Sequence, residues 1–229
     1  MRALRTGFPL LVVSILAAAA SPILAQDRDF ASVEIASKPI RGGIYLLTGR
    51  GGNMAVSAGE DGVFLVDDQY APLTEKITAA IRQIQDEPVR FVVNTHWHGD
   101  HTGGNENLGE AGAVIVAHGN VRLRLSVEQF QKMRERTIPA SPEGALPVIT
   151  FTDAVTFYLN GESVHVFHVP PAHTDGDSVV HFQGADVLHA GDIFFNGTYP
   201  FIDIDSGGSI EGMIISRIAA RVSMSTAAR

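Results

Sequence analysis

Between positions 96 and 101 the chain runs His96-Trp97-His98-Gly99-Asp100-His101, three imidazoles and a carboxylate in six residues. Such a run restricts the fold, because a rigid element must end here and present the run as a loop. The residues just before it supply that element. Phe91-Val92-Val93 reads as a buried strand that ends at Asn94-Thr95. In an extended loop, residues two apart point the same way, so His96 and His98 converge on one ion while Asp100 and His101 turn toward a neighbouring position. Neutral imidazole is a good zinc ligand, and carboxylate completes such sites. A solvated polar turn is the plainer reading, and the density of ligand-type side chains argues against it.

The rest of the chain alternates short apolar segments with turn signals. Strands are expected at 44–47, 54–56 and 63–66, separated by Gly-rich turns. Over 72–85, Leu73, Ile77, Ile81 and Ile84 fall on one helical face, with Pro72 suited to the first turn. A strand at 114–116 and a helix from about Asn120 follow. The segment 138–147 holds three prolines and little periodicity, which predicts a long surface loop, a flap beside a site. Strands at 155–159, 164–169, 178–182 and 187–190 then lead to one late helix after Ser209. The pattern predicts one α/β domain over 30–229, with sheets packed face to face and helices outside.

Composition narrows the setting. Arg2 and Arg5, an apolar run from Phe8 to Ala20 and a small-residue stretch ending at Ala25 have the layout of a secretory signal peptide over 1–25. The run is short for a membrane span, which needs roughly 20 apolar residues. An uncleaved anchor is the alternative, and either places the remainder outside the cytoplasm, periplasmic or secreted, with no stable membrane association after cleavage. Residues 1–25 carry two Arg and no acid, so their removal takes the formal charge from −8 to −10. That excess of acid argues against a nucleic-acid partner and leaves a small-molecule substrate as the expectation. There is no cysteine, so thiol nucleophiles and thiolate ligands are excluded and any metal is held by nitrogen and oxygen.

One segment does not fill two ions. Downstream, His173 sits in the turn Pro170-Pro171-Ala172-His173-Thr174-Asp175-Gly176-Asp177, and Val187-Leu188-His189-Ala190-Gly191-Asp192 ends a strand in a carboxylate. The order H-x-H-x-D-H, then H-T-x-G, then G-D after a strand, resembles the metallo-β-lactamase superfamily. Leu65-Val66-Asp67 adds a strand ending in Asp, the superfamily's first motif. The resemblance runs from about Ile44 to Gly212 and speaks to the superfamily far more than to any substrate.

The resemblance implies an αβ/βα four-layer sandwich of two mixed β-sheets flanked by helices, with a site for up to two Zn(2+) along one edge. It implies His96, His98 and His173 on the first ion, Asp100 and His101 on the second, and Asp192 bridging both. Asp67 is then expected to orient the ligand loop by hydrogen bonds without touching metal. Metal lowers the pKa of bound water from about 15.7 toward 7, which yields hydroxide at neutral pH to attack a carbonyl carbon. Asp100, as the catalytic residue, is expected to orient that hydroxide and take its proton. Amides, lactams, esters and thioesters are the implied substrates.

Departures from the family pattern keep alternatives open. The superfamily supplies a last histidine after the late helix, and here the chain reaches Arg229 without one. Residues 216–229 are an atypical Ala/Ser/Met tail, which predicts a C-terminally truncated product, an incomplete last strand and helix, and a weaker second site. Subclasses of metallo-β-lactamase with a Cys ligand are excluded, since Asp192 stands in that role; the pattern is similar to that of hydroxyacylglutathione hydrolases. Besides a β-lactamase-like hydrolase, a thioester hydrolase, an iron-dependent oxidoreductase and an inactive remnant therefore remain. His118, His165, His168, His181 and His189 are expected to be ordinary core or surface residues, His118 being the best of them for lining a pocket. Phe194, Phe195, Tyr199 and Phe201 are candidates for a cleft wall or plain core, and Trp97 for packing beneath its loop. Asn196-Gly197-Thr198 matches a glycosylation acceptor. Arg122, Arg124, Arg134 and Arg136 are expected to form a solvated helix face.

Overall fold

A computed structural model describes residues 29–217. The expected export signal at 1–25 and most of the atypical tail lie outside the described residues. Seven strands form one sheet: β1 (Ala36–Arg41), β2 (Ile44–Thr48), β3 (Met54–Gly59), β4 (Gly62–Val66), β5 (Val89–Asn94), β6 (Val114–His118) and β9 (Ile149–Phe151). The first four pair antiparallel through tight turns, and β4, β5, β6 and β9 pair parallel, so this sheet is mixed. A short hairpin, β7 (Gln129–Gln131) with β8 (Arg136–Ile138), interrupts the chain before β9. The second sheet is β10 (Ala154–Leu159), β11 (Glu162–His168), β12 (Ser178–Phe182) and β13 (Val187–His189), antiparallel throughout these described strands.

The period-2 alternation of each strand sorts its side chains into layers. From β4, Phe64 and Val66 join Val164, Val166, Val180 and Phe182 of the second sheet in the central core. The alternate residues Val63 and Leu65 face outward instead. There they meet Ile77 and Ile81 of α1 (Thr74–Arg82) and Leu108 of α3 (Asn105–Glu110). On the far face, Val179 of β12 packs with Met213 from a helix over residues 210–217. Helix, sheet, sheet and helix stack in that order, which is the expected four-layer sandwich.

Helix α1 follows from its sequence: Ile77 and Ile81 are one turn apart and fully buried, and a 3-10 turn at Ala71–Leu73 accommodates Pro72 ahead of it. It ends at Arg82, three residues short of the span that the periodicity suggests, because Ile84 packs from the turn that follows. The remaining helices are short: α2 (Gly99–Thr102) lies inside the ligand run and α4 (Gly119–Leu125) follows β6.

Candidate metal centre

The parallel strands β4 and β5 end side by side, and their C-terminal ends hold the base of the site. Asp67 follows β4 with φ 59°, a left-handed conformation that non-glycine residues adopt at a cost. That turn aims its carboxylate at the neighbouring strand end. The backbone N–H of Thr95 donates to Asp67 Oδ1 at 2.7 Å, and the Thr95 hydroxyl donates to Oδ2 at 2.8 Å. His101 Nδ1 donates to the same Oδ2 at 2.7 Å. Asp67 is wholly buried, and it touches the loop only through these bonds, the orienting role expected of it. Across the sheets, the Ser178 N–H donates to the Thr95 carbonyl at 2.9 Å and ties the loop to β12.

His96, His98 and His173 meet. His96 Nε2 lies 3.1 Å from His98 Nδ1, and His173 Nε2 lies 3.0 Å from the same atom. The outer ring nitrogens settle where the protons sit. His173 Nδ1 faces the Phe201 carbonyl at 2.7 Å and must donate to it. His98 Nε2 faces Asp203 Oδ2 at 2.7 Å; burial alone raises the Asp203 carboxyl, but bonds from His98 and Ser206 outweigh it and hold the group at about 2, so it accepts. The Thr95 hydroxyl has given its hydrogen to Asp67, so at 3.1 Å it accepts from His96 Nδ1. All three inner nitrogens therefore present lone pairs to one another. Bare, that arrangement is repulsive; a cation between them resolves it. Two ligands of one tetrahedral zinc with bonds of about 2.0–2.1 Å sit about 3.3 Å apart, close to the observed spacing. The donor set fits a metal.

A second cluster adjoins the first through His96: His96, His101 and Asp192 offer ligand atoms within 4.8 Å of one another. Asp192 lies between the two groups, with Oδ1 3.3 Å from His101 Nε2 and Oδ2 3.7 Å from His173 Nε2. His101 Nε2 is buried and makes no aligned hydrogen bond, an unsatisfied atom pointing into the site. Asp100 stands farther off, its Oδ2 3.9 Å from His101 Nε2, on a side chain 37% exposed.

Electrostatics separate the two clusters. Burial, with the neighbouring imidazoles, pushes His96 well below the ordinary histidine range and keeps it neutral. Burial, then His98, lowers His173 as well. Burial alone lowers His101 too, but the carboxylates of Asp67 and Asp192 more than reverse it and hold that ring well above the ordinary range. Asp192 is raised by burial, yet His101, His173 and His98 together bring it to about 2, so it is an anion at neutral pH.

The site opens into a cleft of about 670 Å³ whose lining includes His98, Asp100, His173 and Asp192. Ile138, Pro139 and Pro142, from the segment expected to be a flap, line it too, although Ile138 closes β8 and Glu143–Ala145 forms a 3-10 turn. Phe201 is on the cleft wall, whereas Phe194 and Tyr199 point to solvent. Trp97 packs beneath its loop with Val121 and Leu125 and donates Nε1–H to Ser206.

Two expectations need correcting. His118 does not line the cleft: its ring stacks on His168 at 3.8 Å, and its Nδ1 accepts the Asn120 N–H to cap α4. The four arginines share no solvated helix face. Arg124 pairs with both oxygens of Asp175 at 2.6 and 2.7 Å, Arg122 donates to the Pro147 carbonyl, and Arg134 and Arg136 leave the helix for the hairpin, because α4 ends at Leu125. His189 is committed elsewhere, Nε2 donating to the Asn53 carbonyl and Nδ1 accepting from Gly191.

Three residues important to the centre gave no signal in the sequence. Asp203, 105 residues from His98, fixes that ring. Asp177 accepts the N–H groups of His173 and Thr174 at 2.6 and 2.9 Å and shapes their turn. Gly52 lies against the His101 ring so closely that a Cβ there would overlap it. For Asp177, the run Asp175-Gly176-Asp177 after His173 was the one hint of a carboxylate-braced turn.

The Metallo-beta-lactamase superfamily model matches residues 47–222. A 2,4-dinitroanisole O-demethylase subunit alpha from Nocardioides sp. (strain JS1661) is 24% identical over 171 residues, 72% of this chain and 48% of that protein. A hydroxyacylglutathione hydrolase from Gloeobacter violaceus is 29% identical over 144 residues, 59% of this chain and 49% of its own length. The chain thus spans about half the length of these curated relatives. Among solved structures, a metallo-beta-lactamase from Pontibacter korlensis superposes with a TM-score of 0.69 at 18% identity, covering 85% of this chain and 88% of the other. DIM-1 metallo-beta-lactamase superposes with a TM-score of 0.66 at 22% identity, covering 85% and 87%. At such identities the superpositions speak for the fold.

Proposed function

The chain belongs to the metallo-beta-lactamase superfamily, and from that premise we propose that it is an exported, zinc-dependent hydrolase of small molecules bearing an amide, lactam or ester carbonyl. The observation that carries the reading is the convergence of three imidazole nitrogens at 3.0–3.1 Å, beside a carboxylate shared with a fourth ring. His96, His98 and His173 would hold one ion, and His101, Asp192 and Asp100 a second, Asp192 bridging. Zinc bound there supplies acidified water and polarisation of the carbonyl oxygen.

The protein's own groups do the rest. Asp67 and Asp203 accept the outer N–H of His101 and His98 and lock those rings in orientation. Asp100, on the cleft wall and partly exposed, orients the attacking water, receives its proton at Oδ2 and returns it to the leaving nitrogen or oxygen. The cleft volume suits a small-molecule substrate. The acid excess of the chain disfavours nucleic acid, and the N-terminal sequence favours export.

A thioester substrate is the second reading, supported by the similarity to a hydroxyacylglutathione hydrolase and by Asp192 in a centre without cysteine. Zinc-loaded protein offered a chromogenic cephalosporin and a thioester side by side tests both. Turnover of the first alone favours the lactamase-like reading, and turnover of neither overturns both substrate assignments. Elemental analysis completes the test: about two equivalents of zinc are expected, and iron in its place would move the chain to oxidoreductase chemistry.

A further inference from the structure

Trp97 stands between two of the proposed ligands, His96 and His98, and the chemistry above makes no use of it. Its ring packs on Val121 and Leu125, but an indole also carries an N–H that burial leaves in need of an acceptor. It finds one 109 residues along the chain, in Ser206 Oγ at 3.1 Å. The Ser206 hydroxyl in turn donates to Asp203 Oδ2 at 2.7 Å, and the same oxygen accepts from His98 Nε2 at 2.7 Å. A continuous line of hydrogen bonds thus runs from the indole, through a serine and a carboxylate, back to the ring of the next residue.

The direction of each bond follows from the groups themselves. An indole N–H only donates and an ionised carboxylate only accepts, so the hydroxyl between them takes one bond and gives the other. Trp97, Ser206 and Asp203 are 3%, 2% and 4% exposed, which keeps water from competing for any member. The serine and the carboxylate are also held by their backbones. Ser206 closes the 3-10 turn Ile204–Ser206, its N–H returning to the Asp203 carbonyl at 3.0 Å. Asp203 donates its own N–H to the carbonyl of His173 at 2.9 Å. Asp203 therefore joins two ligands presented by different sheets, His98 through its side chain and His173 through its backbone. The line from Trp97 sets the angle of that side chain.

We infer that Trp97 is a positioning residue for the first metal, acting on His98 through Ser206 and Asp203. The inference rests on the metal reading above and extends it, because the residue between two ligands becomes part of their support. A ligand ring left free to swing costs metal affinity, so the effect belongs in the dissociation constant. If Trp97 served by packing alone, a ring of the same shape without the N–H would do as well.

Because the chain has a single tryptophan, that comparison can be made at one position. Benzothienylalanine in its place keeps the bicyclic shape and puts sulfur where the N–H stands. The dissociation constant of the first zinc is read on the full chain by competition with a chromophoric chelator. The analogue protein is expected to bind that zinc about fivefold more weakly than wild type, short of the roughly 10-fold to 100-fold that a direct partner of a ligand carries. Ser206→Ala should weaken it about tenfold, and the analogue combined with Ser206→Ala no further, because the indole acts only through the hydroxyl. Leu125→Ala, which loosens the same apolar cluster, should lower the melting temperature and leave the zinc affinity as it is. An analogue protein that binds zinc like wild type overturns the inference and leaves the metal centre standing. So do losses that multiply in the combined variant, or a Leu125→Ala protein that loses as much affinity as the analogue. If the analogue protein does not fold, Trp97→Phe takes its place under the same expectations. If the wild type binds no zinc, the metal reading fails and this inference falls with it.

Discussion

The two halves of the centre are built from the same residue types and held in opposite ways. In the three-imidazole cluster, every outer ring nitrogen has a partner: Thr95 for His96, Asp203 for His98, the Phe201 carbonyl for His173. The second cluster shares the fixed His96 and adds His101, held by Asp67, while its carboxylates Asp192 and Asp100 are 27% and 37% exposed. The first half is thus a preorganised cage and the second has fixed rings facing solvent-accessible carboxylates. Preorganisation favours tight, permanent occupancy, and solvent-accessible carboxylates suit a position that exchanges water and substrate.

That contrast is most easily broken at a ligand of the first cluster, His98, whose Nδ1 faces both other rings. His98→Ala should cost one metal equivalent per chain and more than the roughly 100-fold that removal of an outer partner entails, read by elemental analysis and turnover. Retention of both metals would show that the cage is not where the lone pairs place it. The outer partners come next. Asp203→Ala should lower affinity in the first cluster alone, by about 10-fold to 100-fold, whereas Asp67→Ala should weaken both, because its carboxylate serves Thr95 and His101 together. Equal losses in the two variants would erase the distinction between the halves.

A packing change sharpens the comparison from the other side. Gly52→Ala puts a methyl group into the His101 ring, so the second equivalent of metal should be lost, with a destabilisation of about 1–3 kcal/mol, while the first is kept. Thermal melting with a metal count reads both, and a variant that binds two equivalents shows the loop yielding instead.

The smallest effect is one of pH, in metal-stripped protein. His96 has its pKa depressed in the folded state, so the unfolded chain takes up its proton first and the stability it carries is lost as pH falls below about 6.5. His101 has its pKa raised, so its contribution is full below about 6.5 and fades as pH climbs through the elevated folded value. His96→Gln should therefore flatten the fall in melting temperature below about pH 6.5 and His101→Gln flatten the fall above it, each by roughly 2–4 °C per kcal/mol. Parallel curves for the two variants would contradict the opposite electrostatics of the clusters.

Much of this centre was legible before any coordinates. Strands β2 to β6 and β10 to β13 follow their apolar alternation, and His96, His98 and His173 fall together as their motif order implies, since short-range pattern and strand ends are local properties of the chain. The arginines show where such reading stops. Arg122, Arg124, Arg134 and Arg136 look like one helical face at their spacing, but nothing local says that α4 ends at Leu125 and that a hairpin takes the last two to the cleft. His118 likewise sits after a strand as a pocket residue would, and only its stacking partner on β11 turns it away.

The layered α/β plan, the ligand types and the exclusion of thiolate can all be read along the chain, because periodicity and residue chemistry act over a few positions. Tertiary structure alone decided which nitrogen of each ring carries a proton, that His96 belongs to both clusters, and that Asp203 and Gly52 matter. Those outcomes depend on contacts between segments from 28 to 105 residues apart, and pairings at that range follow from how whole sheets pack, not from any stretch of sequence.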